Sequence, residues 1–214
     1  SPGRGDGIEG DFINYTAVSD LGIATALAST NSFQDIQKHG IIFAPSNRDV
    51  TLFPEKIHGQ YAAFHRPMPV AIGGQNIWYA TSPDLLHWGS HKVVASPRPD
   101  FWDGQKIGGG APPILTADGW LSIYHGVDTK ERYALGALLT DIHEPWKVLR
   151  RSKTPLLEPE APYEKEGLFP NVCFTCGAVV KNNEELWLYY GAADKSLAVA
   201  TASIQDILES LEPV

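Results

Sequence analysis

Residues 120–128 read WLSIYHGVD and residues 133–146 read YALGALLTDIHEPW. An aromatic-rich run of strand length, a short polar break and a second run of small and apolar residues form the pattern of a β-hairpin. The pattern recurs along the chain. INYTAVSD (13–20) is followed by GIATALASTNSFQDI (22–36), YAAFHRP (61–67) by NIWYATSPDLLHW (76–88), and ELWLYYGAAD (185–194) by LAVATASIQDIL (197–208). Tyr15, Tyr61, Tyr124 and Tyr189 are read as equivalent positions, spaced 46, 63 and 65 residues apart. With loop insertions, that spacing suits propeller blades of about 40 to 50 residues. One such hairpin buries too little apolar surface to stand alone, so the units are expected to pack face to face around an axis, which also protects their sheet edges. The fold class is therefore all-β, a β-propeller with about four recognisable blades, and residues 1–214 are read as a single domain. Ile204, Ile207, Leu208 and Leu211 recur at helical spacing and predict a short C-terminal helix.

Composition agrees with this reading. The 214 residues are 43% hydrophobic and 20% charged, with 20 Gly, 16 Pro and 6 Trp distributed as turn and core residues of many short strands. A formal net charge of −8 without a Lys/Arg cluster argues against nucleic acid as a partner. No apolar run approaches the 18 or so residues that span a bilayer, and the N-terminus lacks a signal-peptide pattern, so the expected location is cytoplasmic, although a mature secreted form would read the same, and membrane association is not expected. Cys173 and Cys176 lie in NVCFTCGAVV (171–180), which reads as a strand; a structural role is expected, since one C-x-x-C pair cannot complete a zinc site. No metal site is expected.

If the inner strands of a propeller converge, residues at their ends line one mouth. Asp20, Arg66, His125, Asp128 and Asp194 occupy such places. Three segments bring cations there: PSNRDVTLFPEK (45–56), FHRP (64–67) and GQKIGGGAPP (104–113). Arg48 and Arg66 offer planar forks suited to a tetrahedral oxyanion, Lys106 adds a compact charge, and all three are expected to meet in one pocket. Gly108, Gly109 and Gly110 are read either as a tight turn or as a place where backbone approaches a ligand. Asp128 and Asp194, each following a strand, are also read as possible turn caps. The six tryptophans are read mostly as core, and DLLHW (84–88) as a structural turn.

Together NYTAVSD, NRDVTLFPEKI, YAAFHRP, FWDGQKIGGGAPPI, GWLSIYHGVD, PNVCFTCGAVV and LYYGAAD resemble, in order, the motifs of the β-mannoside phosphorylases and mannosidases of glycoside hydrolase family 130. The resemblance implies a five-bladed propeller with a central active site and inverting phosphorolysis of β-mannosides to α-mannose 1-phosphate. It needs no cofactor, with inorganic phosphate as co-substrate. By motif, Arg48, Arg66, Lys106 and His125 are assigned to phosphate, and Asp194, Tyr133 and Asp49 to the sugar.

The family's Glu-Asp-Pro-Arg motif, which supplies the acid, is expected near residues 1–4, where the chain reads SPGR. Asp6 is the nearest carboxylate to that position and the candidate substitute. From this departure the chain is expected to be a truncated member with an incomplete propeller, weak activity and a tendency to form homo-oligomers. Two rival functions remain at this level. One is a β-mannoside hydrolase using a glutamate base such as Glu55; the other is an inactive carbohydrate-binding propeller.

Overall fold

The structure is a computed structural model that describes residues 10–69 and 71–214. Its strands form four antiparallel sheets. The first contains β1 (Asp11–Ser19), β2 (Gly22–Thr30) and β3 (Ile36–Phe43); the second contains β4 (Asn47–Leu52), β5 (Tyr61–Pro67), β6 (Ile77–Ser82) and β7 (Gly89–Ala95), each in chain order. The third holds β8 (Lys106–Gly109), β9 (Ile114–Thr116), β10 (Gly119–Val127), β11 (Tyr133–Thr140) and β12 (Val148–Ser152), with β10 between β8 and β11. After the short helix α1 (Pro162–Lys165), β13 (Cys173–Lys181), β14 (Glu185–Ala192) and β15 (Ser196–Ser203) make the fourth sheet. Helix α2 (Ile204–Ser210) then leads to β16 (Leu211–Pro213), which returns to pair with β12 of the third sheet.

Each sequence repeat forms one hairpin of one sheet: β1–β2, β5–β6, β10–β11 and β14–β15. The core confirms that the sheets are stacked blades. Leu27, Ile42 and Phe43 of the first sheet pack with Val50, Tyr61 and Ala63 of the second. Phe64 and Tyr79 of the second pack with Ile107, Trp120 and Tyr124 of the third. Leu121, Leu135 and Leu139 of the third pack with Cys173, Leu186 and Leu188 of the fourth. The blades are thus joined by apolar layers between sheets, each contributing alternate side chains as the two-residue period of a strand requires.

Ser203 caps α2 by accepting from the Asp206 N–H, and Ile204, Ile207 and Leu208 turn into the core as the periodicity predicts; Leu211 is equally buried but begins β16. The equivalence of the four tyrosines does not hold throughout. Tyr124 is buried whereas Tyr189 is 42% exposed, and Tyr190, at 3%, is the residue that turns into the core. Two adjacent tyrosines on a strand face opposite ways, so alignment by residue type alone chose the wrong one. Tyr190 Oη donates to the buried Glu164 of α1, which also accepts the N–H groups of Glu160 and Ala161.

Candidate functional site

Antiparallel pairing puts the start of β4, β8 and β13 at the same end as the finish of β5, β10 and β14. Arg48 pairs with Arg66, Gly108 with His125, and Cys173 with Ala192. These strands meet across sheets as well. Asn14 Nδ2 of β1 donates to the Val50 carbonyl of β4 at 2.7 Å. A β-carbon built on Gly109 would lie 3.0 Å from the Asp49 carbonyl oxygen, and one on Gly110 would lie 2.6 Å from Thr175 Cβ of β13. Gly108 is the tightest position: its β-carbon would stand 2.0 Å from Asp49 Oδ2 and 2.5 Å from His125 Cε1. None of these three glycines has a positive φ. The run is therefore not a turn, and its missing side chains make room for protein groups, with Asp49 and His125 filling the space at Gly108.

A bulge in β4 between Arg48 and Thr51 creates the centre of the site. Asp49 takes a left-handed φ of 53° there, a conformation that aspartate tolerates better than most residues. Arg66 Nε donates to Asp49 Oδ2 at 2.6 Å, and His125 Nε2 lies 3.3 Å from the same oxygen. Burial pushes the Asp49 carboxyl up, but hydrogen bonding and charge from His125 and Arg66 outweigh it and bring it down to about 2. Arg66 Nη1 also donates to Gln75 Oε1. Gln75 in turn forms a parallel bridge with Lys106, whose Nζ sits 4.7 Å above the Tyr133 ring. The His125 ring packs on Phe174, with centroids 4.6 Å apart, and on Tyr133 at 6.2 Å.

Buried polar atoms without a hydrogen-bond partner gather here. They include Arg48 Nε, Thr51 Oγ1, His125 Nδ1 and Thr175 Oγ1. Because buried polar groups are nearly always paired, these atoms are available to polar groups from outside the chain, water included. Among the described residues there is no group of His, Cys, Asp and Glu suited to a metal ion.

The structure thus brings Arg66, His125 and Asp49 into direct contact, sets Arg48 across from Arg66, and links Tyr133 and Lys106 to the His125 side of the cluster. It treats the other mouth residues differently. Asp128 caps its own turn, accepting the N–H groups of Lys130 and Arg132 and pairing with the Arg132 side chain, because the carboxylate finds donors within four residues. Asp20 and Asp194 are exposed at the turns after β1 and β14, and among the described residues no hydrogen bond or ion pair joins either to the cluster. Glu55 is exposed in the β4–β5 hairpin, at the opposite end of the blade from the Arg48–Arg66 pair, so it is not placed as a base beside this site. Asp6 lies outside the described residues. Cys173 is buried and Cys176 exposed, both free, in keeping with a structural role. DLLHW is a structural turn: Asp84 accepts from the N–H groups of Leu86 and His87, and Trp88 Nε1 donates to the Leu85 carbonyl.

Sequence reasoning missed Gln75 and Phe174. Nothing near Gln75 signals its role, because an irregular connection folds it back beside β8. Phe174 sat between the two cysteines, in a segment read only as a strand.

The profile of a family described as beta-1,4-mannooligosaccharide phosphorylase matches residues 8–213. The chain is 48% identical over 200 residues to a Beta-1,2-mannobiose phosphorylase of Listeria innocua, covering 94% of this chain and 56% of that protein. It is 44% identical over 199 residues to a 1,2-beta-oligomannan phosphorylase of Thermoanaerobacter, covering 92% of this chain and 65% of that protein. The solved complex of the Listeria innocua enzyme with beta-1,2-mannobiose superimposes with a TM-score of 0.91 at 47% identity, over 93% of this chain and 56% of that one. A thermostable family-43 glycoside hydrolase at 16% identity and a TM-score of 0.66 shares the fold. This chain spans little more than half the length of most curated relatives it matches. On the extent of the family match and the identity to these relatives, the chain belongs to glycoside hydrolase family 130.

Proposed function

We propose that the protein is a glycoside phosphorylase that cleaves β-linked mannosides with inorganic phosphate, inverts at C1 and releases α-mannose 1-phosphate. The observation that carries this reading is the Arg48–Arg66 pair. Two guanidinium groups directly opposite on one sheet face repel each other, yet Asp49 bonds only Arg66, and Arg48 Nε is buried without a partner. A phosphate dianion between the two forks would satisfy both. His125, with Nε2 toward Asp49, would direct Nδ1 at the same anion, and Lys106 would add charge from the Tyr133 side.

In this mechanism a phosphate oxygen attacks C1 from the face opposite the leaving group. The C1–O bond breaks as the leaving oxygen takes a proton from an acid. Phosphate replaces the water and carboxylate base of an inverting hydrolase, so the cations perform the task of binding and aiming the nucleophile. The substrate proposed is a β-1,2-linked mannoside, supported by the relatives of 44% and 48% identity whose names carry that linkage, against 36% for a Beta-1,4-mannooligosaccharide phosphorylase.

The test is incubation of β-1,2- and β-1,4-mannobiose with and without phosphate. Mannose 1-phosphate formed only with phosphate, and faster from the 1,2-linked sugar, is the expected result. Free mannose produced equally in both conditions would overturn phosphorolysis, and preference for the 1,4-linked sugar would overturn the linkage.

A further inference from the structure

Behind the Arg48–Arg66 pair, on the other face of the same two strands, lies a polar chain that the proposed reaction does not use. Asn47 Nδ2 is 3.0 Å from His65 Nδ1, and His65 Nε2 is 3.1 Å from His91 Nδ1. Asn47 and His65 are 7% and 3% exposed, whereas His91 is exposed. Phe43 stacks on the His65 ring with centroids 4.6 Å apart, and Trp88 packs on Phe43. Among the described residues no carboxylate or ammonium group contacts the His65 ring.

The backbone explains why such a chain matters. Asn47 is the first residue of β4 and pairs with Pro67, and just before it the Met68 N–H donates to the Ser46 carbonyl at 3.0 Å. Two residues later the bulge at Asp49 interrupts the pairing. The piece of β4 that carries Arg48 and Asp49 thus lies between that bond and the bulge, and the Asn47–His65 contact adds a side-chain tie to β5.

We propose that His65 is a positioning residue of the anion site: through Asn47 it fixes the start of β4, and so the placing of Arg48 against Arg66. This rests on the phosphate reading given above. His65 does its work as a neutral ring, one nitrogen donating and the other accepting; burial, and then the neighbouring His91, hold it down at about 3. It touches no reacting group.

The test compares wild type with His65→Phe, His65→Gln and His91→Asn, reading phosphate affinity by calorimetry beside mannose affinity and thermal midpoint. Phe keeps the stacking on Phe43 but removes both polar contacts. It should weaken phosphate binding about tenfold and mannose binding less than threefold. Gln, which can still bond Asn47, should recover most of the loss, and His91→Asn should bind phosphate within twofold of wild type because solvent replaces the lost partner. If His65→Phe fails to fold, Asn47→Ala tests the same link from its other end and should show the same selective loss. Wild-type phosphate affinity in folded His65→Phe or Asn47→Ala, or equal losses for phosphate and mannose, would overturn the positioning role while leaving the anion site intact. Absence of phosphate binding by wild type would instead overturn the anion site itself.

Discussion

Arg48 and Arg66 stand directly opposite each other on β4 and β5, with side chains on the same face of the second sheet. Among the described residues one carboxylate, Asp49, is bonded to the pair, and it is shared with His125. Like charges so placed destabilise a sheet by some tenths of a kcal/mol up to about 1, more when desolvated, unless an anion joins them. The pair is therefore a cost to stability on its own, one that the proposed phosphate would offset.

Replacing Arg66 by Lys keeps the charge and removes the fork that reaches Asp49 with Nε and Gln75 with Nη1. Phosphate affinity should fall by an order of magnitude or more, with a smaller change for mannose. Titration calorimetry with each ligand separates the two, and equal losses would assign Arg66 to the fold.

Gly108→Ala would force a β-carbon to within 2.0 Å of Asp49 Oδ2, so the carboxylate and the His125 ring must move apart. Overpacking of this kind costs about 1–3 kcal/mol. The variant should melt several degrees lower and lose at least tenfold in phosphorolysis. Gly89→Ala, where nothing lies within 4 Å, serves as the control and should match wild type in both measurements.

Asp103 is fully buried and collects Arg98, Arg151 and the Tyr124 hydroxyl around its two oxygens. Trp102 beside it packs where Gly126 and Gly136 leave room, with the first clashing at 2.5 Å and the second at 2.6 Å if either gained a β-carbon. Asp103→Asn leaves two guanidinium groups without their counter-charge in the interior and should destabilise by about 3–5 kcal/mol. Urea unfolding monitored by tryptophan fluorescence measures the shift. A change below about 1 kcal/mol would show that solvent reaches Arg98 and Arg151 and that the cluster does not hold the third blade.

Acid should unfold the protein through His65 before Asp49. The folded His65 lies near 3 against 6.5 when unexposed to the fold, so the unfolded chain binds more protons between those values. Its contribution is fully present above about 6.5 and is lost as pH falls toward 3, by up to a few kcal/mol. Asp49, brought from 3.8 to about 2, adds stability above 3.8 that is lost only below it. Urea midpoints measured from pH 7 to 4 should fall in wild type and fall less steeply in His65→Gln. Parallel curves for the two proteins would remove His65 as the cause.

The amino-acid sequence by itself determined the blades. Strand-length alternation, repeated hairpins such as 120–140 and a helical period at 204–211 are local properties, set by which side chains can face a core within a few residues, and they survive into the structure. It also marked Arg48, Arg66, Lys106 and His125 as chemically notable, because charged and titratable residues at the ends of strand-like segments are visible as letters. What only the tertiary structure decided is which of these groups touch. The bulge that turns Asp49 between Arg66 and His125, the folding back of Gln75, the seating of Phe174 on the His125 ring and the separation of Asp128, Asp20 and Asp194 from the cluster depend on how β4, β8 and β13 approach one another. Those strands are far apart in the chain, and the distances between them are fixed by the apolar layers packed between blades, a quantity that no local stretch of residues encodes.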